Sequence, residues 1–441
     1  MGRTDVRSDR SSSTPIASTV PKFLTDKGKG GSGNDGNYRR DAERELDRFI
    51  RWCRGAVSDP ANADPSAEWS GVRPPTEQHR DVTFADLDAT VFGDYARYLR
   101  ASGLSNGTVR TYYAYVASWC GWAHGQGYVT RHYARESDAE DPLPDGDGRR
   151  PGDQQAWTPD DRDRITRYVD ERAEAAIDRF ADLTVPSDER DDPENAARRE
   201  EESARFEAVK RCRERALTYV LAYTGLRAAE FLNDPDDDRP GRNGLRWSDV
   251  SFGDRNATVF RKKQAWDEAS LPDPVLGPLQ RYRRLLDPPS EWPVFTTLHR
   301  PSLARYVADE LTERGHDGSD IGRRREGTPD LLVAADADLD PPPALKPNGA
   351  RRVMKRLCED AGIELDDRHG YLAPHGGRRG MGEVFVRRFG YAAAARYLDN
   401  SEEQVRDAYQ HIEAAEQADM ATEALSNTDG RVSGRTDEDR D

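Results

Sequence analysis

The stretch LAPHGGRRGMGEVFVRRFG, residues 372–390, decides how the second half of the chain folds. Pro374 suits the first turn of a helix, where its missing N–H costs nothing. Met381, Val384 and Phe385 then give that helix an apolar side. His375 and Arg378 share the adjoining edge, one turn apart, at the end where the backbone favours an anion. Gly376 and Gly377 allow another backbone to come close. Taken alone, the histidine reads equally well as a helix cap.

The rest of the composition limits what such an edge can serve. The chain has 441 residues, enough for two domains and tails, with 82 acidic against 66 basic side chains and a net charge of −16. Only 8 of the basic residues are lysines and 58 are arginines, beside an aspartate-rich background. That balance suits a protein soluble in molar salt, where the screening length falls to about 3 Å. There, overall charge says little about partners, and local basic clusters say more. No apolar run approaches the ~20 residues that cross a bilayer, and no basic-then-apolar leader opens the chain, so the expected location is cytoplasmic. Cys53, Cys120, Cys212 and Cys358 are dispersed without a CxxC pair, which argues against a zinc site or a disulfide framework.

Outward from the opening stretch, the chain divides into five parts. Residues 1–36 have the composition of a disordered arm. Residues 37–137 carry three helical patterns. One is the stripe Tyr38, Ala42, Leu46, Phe49, Ile50 and Cys53; a second runs from Leu87 to Leu99 and stops at Gly103; a third runs from Val109 to Ala123. Residues 138–155 have linker composition. Residues 156–426 open with Thr158 as N-cap and Pro159 at the first helical position, and 427–441 read as a polar tail. Within the fourth part, DVSFGDRNATVF predicts a β-hairpin around GDRN. Residues 181–205 read as a solvated insertion and 296–345 as a long loop. Helices are expected over 348–361, 375–389, 392–398 and from 402 onward.

Three further pieces carry candidate chemistry. In YTGLRAAEF, Gly225 breaks a helix, and Arg227 sits at the start of the next with Glu230 one turn on to hold its guanidinium. A surface ion pair is the ordinary alternative. Lys262 and Lys263 follow the strand ATVF; a lysine can surrender a proton at useful pH and an arginine cannot. A solvated turn explains them equally well. In LDNSEEQVRDAYQHIEA, Ser401 and Gln404 form a capping box, Val405, Ala408 and Ile412 face inward, and Tyr409 lies beside that stripe. The alternating aspartates at 234, 236 and 238 invite a calcium loop, but Arg239 and Leu245 stand where glycine and glutamate are needed. The phosphate-binding GxxxxGK motif is absent, and the glycine triplets at 28–36 that spell GxGxxG lie in the arm of disordered composition, with no strand before them.

It is the order of these pieces that resembles something. Arg in TGLRxxE, lysine after a hairpin strand, H-x-x-R, then a helix-borne tyrosine is similar to the tyrosine recombinase (phage integrase) family, site-specific recombinases of the XerC/D type. The resemblance covers residues 37–137 as a helical, SAM-like core-binding DNA-clamp domain and 156–426 as the catalytic domain. The fold it implies is mainly α, with a small antiparallel β-sheet in the catalytic domain. Two positions depart from the family: Asn400 stands where a histidine or tryptophan precedes the tyrosine by nine residues, and Gly377 stands for the usual leucine of H-x-L-R.

The resemblance implies cleavage and rejoining of double-stranded DNA through a 3′-phosphotyrosyl link, with no ATP, metal or other cofactor. Tyr409 would attack the phosphate, and Arg227 and Arg378 would clamp its oxygens. Lys262, or its neighbour Lys263, would protonate the leaving 5′-oxygen. His375 would assist removal of the tyrosine proton, and Asn400 would donate a hydrogen bond to the phosphate. It also implies a homotetramer on paired DNA sites and a monomer when free. Two alternatives stay open: a relative that clamps DNA without cutting it, as a regulator of a mobile element, and an unrelated helical scaffold.

Overall fold

The computed structural model describes residues 12–27, 37–55, 81–146, 154–184, 194–237, 239–365 and 369–432. The chain forms two compact units, one made mainly of Met1–Arg149 and the other of Arg150–Pro235 with Pro240–Asp441. Both are mostly helical.

The first unit is built from α1 (Val20–Lys27), α2 (Asn37–Cys53), α3 (Ala89–Ala101), α4 (Asn106–Gly125) and the single turn α5 (Ser137–Glu140). Asp88 caps α3 by accepting from the Val91 amide at 2.9 Å, and Ser105 caps α4 through the Thr108 amide. Its core is aromatic: Phe49 stacks on Phe92 at 5.5 Å and meets Tyr95 edge-on at 4.9 Å. Ala42, Leu46, Phe49, Ile50 and Cys53 are all buried as their spacing predicts, whereas Tyr38 lies out on the surface against Tyr115.

Part of the expected disordered arm is folded. Ile16, Phe23 and Leu24 are buried in this core, and the Trp119 and Trp122 indoles donate to Thr19 and Asp26. Three apolar residues at i, i+7 and i+8 make one helical face, which the average of a polar stretch conceals. Residues 1–11 and 28–36 lie outside the described residues. The first part of the expected linker is also fastened down: Ala139 is buried, and Arg100 and Arg110 donate to the carbonyls of Pro142 and Pro144. Residues 147–153 are not described.

The second unit starts with α6 (Pro159–Thr184) and α7 (Glu194–Tyr223), a helical hairpin. Thr158 and Asp161 cap α6 reciprocally. The described residues of the expected insertion at 181–205 belong to these two helices, and Ala204 is buried. Their Ala, Glu and Arg content is strongly helix-forming, and charge alone gave the impression of a loop.

After the short α8 (Ala228–Phe231) come β1 (Val250–Ser251), β2 (Asn256–Phe260) and β3 (Trp266–Ser270), an antiparallel sheet in the order β1-β2-β3. The hairpin at GDRN is present, with Val250 opposite Ala257; β3 adds a strand that WDEAS did not announce, with Thr258 opposite Glu268. Then follow α9 (Asp273–Leu286), α10 (Arg300–Glu313), α11 (Gly318–Arg325), α12 (Asp330–Asp336) and α13 (Pro347–Asp360). The stretch expected as a loop over 296–345 therefore holds three helices. Leu303, Val307, Leu311, Leu331 and Leu332 bury it in the main core, although Asp, Gly and Pro crowd the turns between them.

Two long helices close the unit, α14 (Pro374–Leu398) and α15 (Glu402–Val432). Gly390, at φ +78°, breaks α14 where the two expected helices meet. Helix α15 continues into the expected polar tail as far as Val432, and 433–441 are not described.

Candidate active site

Glycines let α14 sit unusually low on the unit. A Cβ on Gly377 would run into the Leu221 carbonyl of α7, one on Gly380 into the Trp157 carbonyl, and one on Gly376 into the side chains of Gln155 and Trp157. Gln155 and Trp157 in turn hold the helix start. The Trp157 indole donates to the Ala373 carbonyl at 2.9 Å, and Gln155 accepts from the Ala373 amide at 2.7 Å while donating to Tyr371 at 2.8 Å. Composition alone places Gln155 in the linker; the structure makes it part of the site's support. Together these contacts set His375 and Arg378 at one end of a cavity of about 680 Å³.

Arg227, Lys262, Lys263, His375, Arg378 and Asn400 all line that cavity, with Asp399, Ser401 and Gln404. Arg227 is the N-cap residue of α8. Glu230, one turn on and buried, takes its guanidinium at 2.9 Å and its backbone amide at 2.9 Å. The same carboxylate accepts from Arg261 at 3.2 Å, and Arg261 also holds the Glu268 carbonyl of β3. Glu230 thus ties the turn carrying Arg227 to the β2–β3 turn carrying the lysines. Sequence alone gave Arg261 no role, although its place one residue before the lysine pair turns it inward.

The two guanidiniums converge on one oxygen. Asn400 Oδ1 accepts from Arg227 Nη2 at 2.6 Å and from Arg378 Nη2 at 3.2 Å. Arg378 is 5% exposed and also donates to the Gly225 and Leu398 carbonyls. Burial first, and then the neighbouring Arg227 charge, bring its pKa down to about 10, which leaves it charged at neutral pH.

Asp399 is the residue that sequence reasoning missed. It adopts the left-handed conformation at φ +47°, and its carboxylate lies 3.3 Å from Arg227 and 3.4 Å from Lys263. Its carbonyl takes Arg227 Nη2 at 2.8 Å. Lys263 is further paired with Asp267 at 2.7 Å, and these two carboxylates, Asp267 foremost, raise its pKa. Lys262 makes no hydrogen bond or ion pair among the described residues. His375 stands exposed at the cavity wall. Desolvation by the surrounding chain, then the charges of Arg379, Arg378 and Arg227, hold its pKa down to about 4, so the imidazole is neutral at pH 7.

Tyr409 is set apart from this group. It is 6% exposed, belongs to a small apolar cluster with Val386, Leu398, Val405 and Ile412, and does not line the cavity. Its hydroxyl donates to the Arg379 carbonyl at 3.2 Å. Gly382 makes room for the ring, because a Cβ there would strike the phenol oxygen. Burial raises its pKa to about 12, against the opposing pull of Arg378. The backbone of α15 leaves helical geometry at this residue, with φ −122° and ψ 20°. Ser401 and Gln404 cap α15 reciprocally, at 3.2 and 3.4 Å. Among the described residues no group of three or more His, Cys, Asp or Glu side chains could hold a metal.

No family model and no curated protein matches the chain. Solved structures similar to it include the XerA recombinase, at 12% identity and a TM-score of 0.35 over 92% of this chain and 98% of that one. Another is the Tn1549 transposon integrase, a Tyr-to-Phe variant in complex with transposon right end DNA. It gives 11% identity and a TM-score of 0.47, covering 92% of this chain and 100% of the other. The integrase from mycobacterium phage Brujita gives 12% and 0.27, covering 90% and 91%.

Proposed function

We propose that the chain is a site-specific DNA recombinase that breaks and rejoins strands by phosphotyrosyl transfer. The observation that carries this is the meeting of two guanidiniums, Arg227 and Arg378, on the single Asn400 oxygen, beside a neutral histidine and two lysines. A phosphodiester oxygen taking the place of that amide oxygen would receive both guanidiniums. Donors fixed in advance on a phosphoryl group stabilise the charge that builds in its transition state.

In this proposal Tyr409 attacks the phosphorus, forming a phosphotyrosyl ester as the bond to the 5′-oxygen breaks. His375, neutral at pH 7, accepts the phenol proton. Lys262 gives a proton to the departing 5′-oxygen. Among the described residues Lys262 meets no carboxylate, whereas Lys263 is held by Asp267 and Asp399, which raise its pKa and make it slower to release a proton. Attack by a 5′-hydroxyl of another strand reverses these steps, so the bond energy is conserved and no ATP is consumed. Asn400 can donate to a phosphate oxygen through its amide but cannot carry a proton. The first unit contributes a DNA-clamping surface, and four subunits on two paired sites complete the reaction.

Incubation with a library of nicked duplexes drawn from DNA flanking the gene, in molar KCl, tests this on a denaturing gel. A protein–DNA adduct with wild type and none with Tyr409→Phe is the expected result. DNA binding by both with an adduct from neither would overturn this reading in favour of the non-cutting clamp.

A further inference from the structure

A second cavity, of about 460 Å³, adjoins the first, and His375 lines both. Its volume falls in the range of about 300–1,000 Å³ that takes small organic ligands. The buried Leu226 and Ala350, with Pro374 at the start of α14, give it apolar walls. Tyr371 and His369 add aromatic surface, their rings 6.2 Å apart and edge to face. Two guanidiniums border the same space. Arg351 of α13 is exposed and donates to Asn348 at 2.7 Å; Arg379 of α14 is half-buried and donates to the Gln155 carbonyl at 3.3 Å. The chain has 82 acidic residues, yet none of the described residues lining this cavity is acidic, whereas Asp399 lines the first.

Apolar and aromatic walls edged by guanidiniums suit a flat ring with acceptors on its rim. A bare phosphate would leave those walls unused. A guanidinium only donates, so it selects a ring edge that accepts. Guanine presents two acceptors side by side, O6 and N7, the pair that an arginine fork takes; adenine sets an amino donor beside its N7. The shared His375 places this cavity next to whatever anion Arg227 and Arg378 hold. We propose that it receives an unpaired guanine of the strand whose phosphate occupies the first cavity. The inference rests on the recombinase reading in taking that anion to be a DNA phosphodiester. Unpairing costs least where a strand is already open, as it is beside a break. The cavity would hold the displaced base until the strand is rejoined.

The test uses the full chain carrying Tyr409→Phe, so that binding is read without cutting. The probes are labelled abasic decamers bearing one central guanine, one central adenine or no base, with affinity followed by fluorescence anisotropy at low salt. The guanine decamer should bind about tenfold more tightly than the baseless one, the effect of one base on an aromatic surface, with adenine between them. Adding Arg351→Ala should erase the preference for guanine over adenine, and adding Tyr371→Ala should reduce the preference for either base over none. Equal binding of the three decamers overturns the proposal. So does an Arg351→Ala chain that binds all three more weakly with the ratios unchanged, the behaviour of a cation that attracts only the backbone. Should Tyr371→Ala fail to fold, the surface variant Arg351→Ala decides. Equal binding beside an intact wild-type adduct would remove this cavity's role and leave the recombinase reading standing. A guanine preference without any adduct would overturn that reading and keep the base site.

Discussion

The cation-lined cavity and the nest around Tyr409 are separated by little sequence and differ in every physical respect. In the cavity, side chains from α8, the β2–β3 turn, α14 and the start of α15 surround a polar space. Tyr409, by contrast, is enclosed in apolar side chains with its hydroxyl spent on a backbone carbonyl. The anion seat is assembled, and the proposed nucleophile is withheld from it. Even the seat is occupied from within, because Asp399 and Asn400 supply oxygens to Arg227, Arg378 and Lys263. Under the proposed function, reaction requires two displacements: phosphate must replace the 399–400 oxygens, and α15 must give way at the non-helical Tyr409.

Each substitution below separates the two regions. The largest effect belongs to Tyr409→Phe, which should reduce adduct formation below detection on the denaturing gel. DNA affinity in a gel-shift assay should stay unchanged, because the phenol is outside the cavity. Next is Arg378→Gln, which removes a buried donor from the seat; single-turnover cleavage should slow by roughly 100- to 1,000-fold, the range for one such donor. Equal slowing by a distant surface arginine such as Arg131 would break the assignment.

Gly382→Ala acts only on the nest. Its methyl collides with the Tyr409 hydroxyl, and overpacking of this kind costs about 1–3 kcal/mol. The thermal midpoint should fall, while adduct formation per folded molecule should rise as the tyrosine is expelled. A lower midpoint with slower cleavage would mean that the nest is the working position. Asp399→Asn acts only on the seat: without its negative charge, affinity for a phosphodiester should increase on the order of tenfold, or 1.4 kcal/mol, at low salt.

The smallest effect is a matter of pH. His375 has a folded pKa of about 4, below the ordinary 6.5, so as pH falls between these values the unfolded chain binds a proton that the folded chain refuses. Stability is full above about 6.5 and declines toward 4. The decline should be shallower in His375→Gln, measured by urea unfolding at pH 7 and pH 5.

The sequence made the cavity legible because its parts are local. The turn at Gly225, the capping box of Ser401 and Gln404, the GDRN hairpin and the H-x-x-R edge each need only a few neighbours. What it concealed depends on long-range packing. Nothing near Asp399 announces that its carboxylate will meet Arg227 and Lys263, since those partners are 172 and 136 residues distant. Nor did the stripe beside Tyr409 reveal that Gly382 hollows a place for its hydroxyl. Folded segments at 16–27 and 300–336 were hidden for another reason, that a few buried apolar residues are outnumbered by polar ones in any windowed average.

The most direct measurement is the identity of the residue that carries DNA. Wild-type protein trapped on a nicked duplex would be digested with nuclease and protease, and the nucleotide-bearing peptide sequenced by mass spectrometry. With 17 tyrosines in the chain, Tyr391 and Tyr397 in the same small cluster are the rivals. A nucleotide on Tyr409 alone is the predicted result. A nucleotide on Tyr391 or Tyr397 would contradict the account, because the withheld hydroxyl would then not be the nucleophile.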